Sequence, residues 1–97
     1  MFVGVTVCEL HLPGVRSLKE KRKVIKSLVE RIHRRYRVSV AETDFHDLHQ
    51  RAEISIAVVG NRYGEMENLL EDLRRVFDGE PAAMVSGWYP RVLEEAR

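Results

Sequence analysis

The spacing of apolar residues alternates between a strand period and a helix period along the chain, and the alternation sets the order of elements. From Phe2 to Leu12 a Val-rich run ends in Glu9-Leu10-His11-Leu12, a two-residue period that predicts a strand closed by Pro13-Gly14. Ser17, with Glu20 three places on, forms a capping box, in which a hydroxyl and a carboxylate satisfy free backbone donors at a helix start. The helix predicted from there spans Leu18 to Tyr36, with Leu18, Ile25, Leu28, Val29, Ile32 and Tyr36 on one arc. The strand period returns over 37–47, through Val38 and Val40, and over 50–60, through Ile54, Ile56 and Val58. The turn Asp47-Leu48-His49 makes these two a hairpin. Asn61 is the predicted cap of a second helix over 62–77, whose apolar face is Met66, Leu69, Leu70, Leu73 and Phe77. Asp78-Gly79-Glu80-Pro81 stops it, and Met84 to Tyr89, reaching toward Leu93, is the fourth strand.

This β-α-β-β-α-β order predicts an α+β ferredoxin-like sandwich, a four-stranded antiparallel sheet with two helices on one face. At 97 residues the chain reads as a single domain over 1–97 with a core of its own. The second face of such a sheet carries no helix. The residues alternating with the core positions there are Ser39, Ala41, Thr43, Phe45, Ser55, Ala57 and Val59, small and semi-apolar, so a homodimer through the sheet face or an edge strand is one expectation. No apolar run is long enough to span a bilayer, and the opening MFVGVTVCEL does not read as a signal peptide. A cytoplasmic location and no membrane partner follow as expectations. The single cysteine, Cys8, lies in an apolar run and reads as a small buried hydrophobe. Two Asn and one Gln, with Arg outnumbering Lys twelve to four, hint at a heat-adapted source.

Charge changes the picture more than composition does. The formal net charge is only +1, yet Arg16 to Arg37 holds ten of the sixteen Lys and Arg residues against two acids, Glu20 and Glu30. On the first helix Lys19, Arg22, Lys23, Lys26, His33 and Arg34 fall opposite the apolar arc, and Arg37 continues the line. A concentrated basic stripe attracts polyanions through its local field whatever the total charge. Mixed Lys and Arg suit contact with phosphate backbone better than base reading. The competing reading is a solvated face that pairs with the acidic second helix. Arg16, Ser17 and Lys21 could also complete an anion site at the helix start, where free N–H groups and the dipole favour negative charge. Lys21 is the odd member, because its helical angle turns it toward the apolar arc. It must snorkel or meet a carboxylate, so a structural role is the equal alternative.

Several motifs recur together: Phe2-Val3-Gly4-Val5, Ser17-Leu18-Lys19-Glu20-Lys21-Arg22 after a Leu-x-Leu-Pro strand end, Val38-Ser39-Val40-Ala41-Glu42, and Gln50-Arg51-Ala52. Over roughly the first sixty residues the chain resembles the YlxP-like family, a bacterial domain of unknown function. The resemblance implies a small ferredoxin-like domain. By association with neighbouring translation genes it implies work near the ribosome or its RNA, and it carries over no catalytic residue. His46 and His49 depart from the family's pattern.

Other chemistries find less support. RNA-recognition domains share the element order but stack bases on exposed aromatics of the central strands, which offer none here. Acylphosphatases bind phosphate after the first strand, at the place of Gly14-Val15-Arg16, but their Gly-rich signature is incomplete here and the third strand has no Asn to orient water. Asp44-x-His46-Asp47-x-His49 has ligand chemistry on a hairpin tip, where a solvated turn is the simpler reading. Glu9, Glu42 and Glu53 read as structural carboxylates that could meet Lys21 or Arg51. Trp88 and Tyr89 read as cover for the sheet edge or core. The sequence thus predicts a non-catalytic RNA- or ribosome-associated domain without cofactor or metal, docking through its first helix. The alternative is a protein-interaction module, and a small phosphate-binding hydrolase is the remote one.

Overall fold

The computed structural model describes residues 1–96. It places β1 at Phe2–His11, α1 at Leu18–Arg35, β2 at Ser39–Asp44, β3 at Arg51–Gly60, α2 at Tyr63–Asp78, β4 at Met84–Trp88 and β5 at Arg91–Glu94. The strands form an antiparallel sheet in the order β2-β3-β1-β4, with β5 beside β1 on the same side as β4. Alternation decides which side each residue takes. Leu10, Cys8 and Thr6 of β1 and Ala52, Ile54, Ile56 and Val58 of β3 are buried. Ile25, Leu28 and Ile32 of α1 and Met66, Leu70, Leu73 and Phe77 of α2 complete the same cluster. At Gly60 a Cβ would meet the Met66 side chain, so the bare backbone leaves Met66 of α2 room to pack over the end of β3.

The strand count is five where the periodicity predicted four, and proline is the reason. Pro90 cannot donate to the ladder, so the last strand breaks into β4, which follows β1 from Cys8 to His11, and β5, which follows it from Phe2 to Val5. Side-chain alternation nevertheless continues through the break. Trp88 packs on Phe77 in the core with Arg74 over its ring, while Tyr89 stands on the open face. Two smaller differences follow from local geometry. Residue 36 is already extended, so α1 ends at Arg35 and Arg37 lies beyond the helix. Arg62, not Asn61, is the N-cap of α2, without a side-chain cap bond.

Two buried polar groups in this core lead to tests. The Thr6 hydroxyl is 1% exposed and has no hydrogen-bond partner among the described residues. Such a group loses its water for nothing, so Thr6→Val should raise stability by about 1 kcal/mol, read as a higher urea midpoint at unchanged slope. Cys8 is fully buried, and the loss of hydration pushes its thiol up to about 12 from 9.0, with Arg74 opposing and Asp78 and Glu9 adding to the rise. In the unfolded chain the same thiol ionises near its ordinary value, so above about pH 9 the unfolded state sheds a proton the folded state keeps. Its contribution is intact below pH 9 and declines as pH rises toward 12. Wild type should therefore lose stability faster than Cys8→Ala between pH 9 and 10.5 in chemical denaturation. Equal slopes would show that Cys8 is not responsible.

Candidate nucleic-acid interface

The face of α1 turned away from the sheet carries a dense row of cations. Lys19, Arg22, Lys23, Lys26, His33 and Arg34 are all exposed on it, and Arg37 is exposed just past its end. From Lys19 to Arg34 the stripe runs about 22 Å at ~1.5 Å per residue. None of these seven side chains has an ion-pair partner among the described residues. The arginines around α2 behave differently: Arg62 meets Glu65, Arg74 meets Asp78, and Arg75 meets Asp72. Three acids of α2, Glu65, Asp72 and Asp78, are thus engaged locally, and the only ionic link from α1 to that side among the described residues is Arg31 with Glu80. Glu30 is the one acid within the stripe.

Sequence reasoning left out part of this basic surface. Arg31, Arg34 and Arg35, with Tyr36 and Val76, line a shallow groove of about 360 Å³ at the C-terminal end of α1. Arg35 lies over the Tyr36 ring at 5.4 Å. Of these three arginines the sequence reading named only Arg34, and the groove it forms with Arg31 and Arg35 depends on Val76 of α2.

The start of α1 is already occupied. The Glu20 backbone N–H donates to Ser17 Oγ at 3.1 Å, and the Arg16 backbone N–H donates to the Glu20 carboxylate at 2.9 Å. An incoming anion at Arg16 and Ser17 would have to displace the carboxylate of the capping box.

Lys21 is not available to an anion either, and it leaves the predicted site. It is 1% exposed. Its ammonium donates to the carbonyls of Phe45 at 2.5 Å and Leu48 at 2.7 Å, and faces Glu42 Oε2 at 3.0 Å. That carboxylate oxygen is buried and has no other polar partner among the described residues. Lys21 therefore fastens α1 to the tip of the β2–β3 hairpin, the structural alternative its helical angle left open. Phe45, whose carbonyl it holds, has φ 61°, a left-handed conformation a bulky residue adopts only when its surroundings impose it. The Phe45 ring in turn lies 3.9 Å from the Arg51 guanidinium.

Of the two hairpin histidines, His46 serves the same local order. His46 Nε2 lies 3.2 Å from the Glu42 carbonyl, and Asp44 Oδ1 accepts from the Phe45 backbone N–H at 2.7 Å. Among the described residues no three His, Cys, Asp or Glu side chains converge as metal ligands. The three carboxylates considered together in the sequence part company, because Glu42 turns to Lys21 while Glu9 and Glu53 pair across β1 and β3 on the open face. Thr43 donates to Glu53 at 2.6 Å and lies 2.7 Å from the Ser55 hydroxyl. No helix among the described residues is long and apolar enough to cross a membrane.

Two helices over one face of an antiparallel sheet in this strand order define a ferredoxin-like α+β domain. A de novo designed protein with ferredoxin fold, solved in solution by NMR, is similar over 100% of this chain and 88% of its own, with a TM-score of 0.55 at 14% identity. Residues 3–88 match the family described as "Protein of unknown function (DUF503)", and the chain belongs to that family. The chain is also 32% identical over 79 residues to "Uncharacterized protein YlxP" of Bacillus subtilis, covering 81% of this chain and 86% of the relative. The YlxP-like resemblance of the sequence motifs therefore holds.

Proposed function

We propose that this domain is a non-catalytic RNA-binding module that docks α1 on the phosphate backbone of structured RNA, with the ribosome as its setting. The observation that carries the reading is the row of exposed cations on α1 without acidic partners, on a molecule whose other helix has its arginines paired. Unpaired Lys and Arg along one helix face, interrupted once by Glu30, suit a run of phosphates, where each contact releases condensed counterions. The sheet is not the reading surface. Its central strands present Val, Ser, Ala and Glu side chains to solvent, with His11 and Arg51 at one end, and carry none of the paired Phe, Tyr or Trp rings on which bases stack.

Binding of a structured ribosomal RNA fragment, a generic duplex and an acidic protein at two salt concentrations tests this. Salt-sensitive binding of RNA above the acidic protein is expected, and preference for the ribosomal fragment over the duplex would fix the setting. No RNA binding at low salt would overturn the proposal.

A further inference from the structure

We infer that the open face of the sheet is the interface of a homodimer, in which two copies pack sheet to sheet about a two-fold axis crossing the strands at the level of Val7. The face is apolar over much of its extent. Val5, Val7 and Ala57 form its middle, Val3, Val59 (66% exposed) and Leu93 (45%) lie at one end, and Tyr89 (57%) stands at its edge. Four strands about 4.8 Å apart and roughly 30 Å long present nearly 600 Å² in projection. Side-chain relief brings the accessible area close to the ~800 Å² per partner of an ordinary stable interface.

The edges give a second copy much less. β2 has six residues and a bulge between Glu42 and Asp44, and the opposite edge is interrupted at Pro90 between β4 and β5. Short, bulged or proline-broken edges disfavour pairing with another chain.

Charge selects the orientation. The row through Val7 holds Ala41, Ser55 and Tyr89 and is uncharged. On one side of it Glu9 and Glu53 stand directly opposite each other, a like-charge pair that costs stability on an isolated sheet. On the other side Arg91 stands beside Val5. Neither Glu9 nor Arg91 has an ion-pair partner among the described residues. An axis parallel to the strands would set Glu9 and Glu53 against the same pair of the second copy. An axis across the strands brings them over the row of Val5, Ala57 and Arg91 instead, so each Arg91 faces the carboxylates of its partner. At Gly87 a Cβ would lie 2.9 Å from Glu9 Oε2 and 2.8 Å from the Tyr89 hydroxyl, so the bare backbone lets these two side chains close over it and holds the Glu9 carboxylate on the open face, where Arg91 of the other copy meets it.

Sedimentation equilibrium of the whole chain without RNA, up to about 100 µM, is the test. Twice the 11.3 kDa chain mass is expected. Arg91→Glu should weaken dimerisation roughly thirtyfold or more, and Glu9→Arg in the same chain should restore it by recreating the pair in reverse. Val5→Glu, which sets a third carboxylate against the partner's two, should leave a folded monomer by circular dichroism. A wild-type monomer at the highest concentration would overturn the inference. So would a dimer indifferent to Arg91→Glu and Val5→Glu, or one that Glu9→Arg fails to rescue. Reversing charges on α1 should leave the dimer intact, so this inference and the RNA reading stand or fall separately.

Discussion

Lys21→Met will cost this domain roughly 3–5 kcal/mol, a large share of what a domain of this size has to lose. The substitution keeps the length and apolar stem of the side chain, so the loss reports the ammonium alone. Removing it strands the Glu42 carboxylate in a mostly buried position, with no other polar partner for its inner oxygen, and takes the donor from the Phe45 and Leu48 carbonyls. A buried charge deprived of its partner costs more than the pair ever contributed. Urea denaturation will show a lower midpoint. Hydrogen exchange will rise first over 44–49, where Phe45 is free to leave its left-handed conformation. Adding Glu42→Gln should recover part of the loss, since it removes the stranded charge, and the difference measures the coupling. A single variant within about 0.5 kcal/mol of wild type would mean that water replaces the ammonium and that Lys21 is no fastener.

The second large effect is on binding. Reversing Lys19, Lys23, Lys26 and Arg34 to Glu should lower RNA affinity by about a thousandfold or more at moderate salt. If the six Lys and Arg of the stripe meet about six phosphates, log K should fall with log salt at a slope near −4 to −5, a loss of several hundredfold between about 50 and 200 mM. Four reversals remove most of those contacts and add repulsion, so residual binding should be weak and nearly salt-independent. The fold should survive, because all four side chains are exposed and unpaired. Helix electrostatics nearly cancels as well: acids gain near the N-terminus at residue 19 and lose near the C-terminus at residue 34, a few tenths of a kcal/mol each. Unchanged RNA retention by a folded variant would remove α1 from the interface.

The fold was legible because burial leaves a period, and the helices and paired strands rest on that signal. The boundaries that differed depend on single backbone conformations, such as the extended residue 36 that ends α1 and the missing donor at Pro90 that divides the last strand. The candidate site was legible in part for a related reason. Angle on a helical wheel separates solvent from core, so it placed Lys19, Arg22, Lys23, Lys26, His33 and Arg34 correctly and marked Lys21 as anomalous. A wheel has no neighbours, so it could not show that two hairpin carbonyls waited for Lys21, or that Glu20 had taken the donor of residue 16. It also could not bring Arg91 and Glu9 onto one surface, since that depends on the register of β1 with both β3 and β5.

The position of β1 in the sheet governs how the chain can be made. Residues 2–11 form a central strand whose partners are 51–60 on one side and 84–88 with 91–94 on the other. During synthesis that segment emerges before its partners: its valines wait unpaired until 51–60 have followed it out, and its other side stays open until residues near 94 have done so. The helices and the β2–β3 hairpin can form locally in the interval, but the sheet that gives them a core cannot close. The sheet therefore closes only once β5 has emerged, and the exposed Phe2–His11 segment is where a nascent-chain chaperone has the longest opportunity to bind.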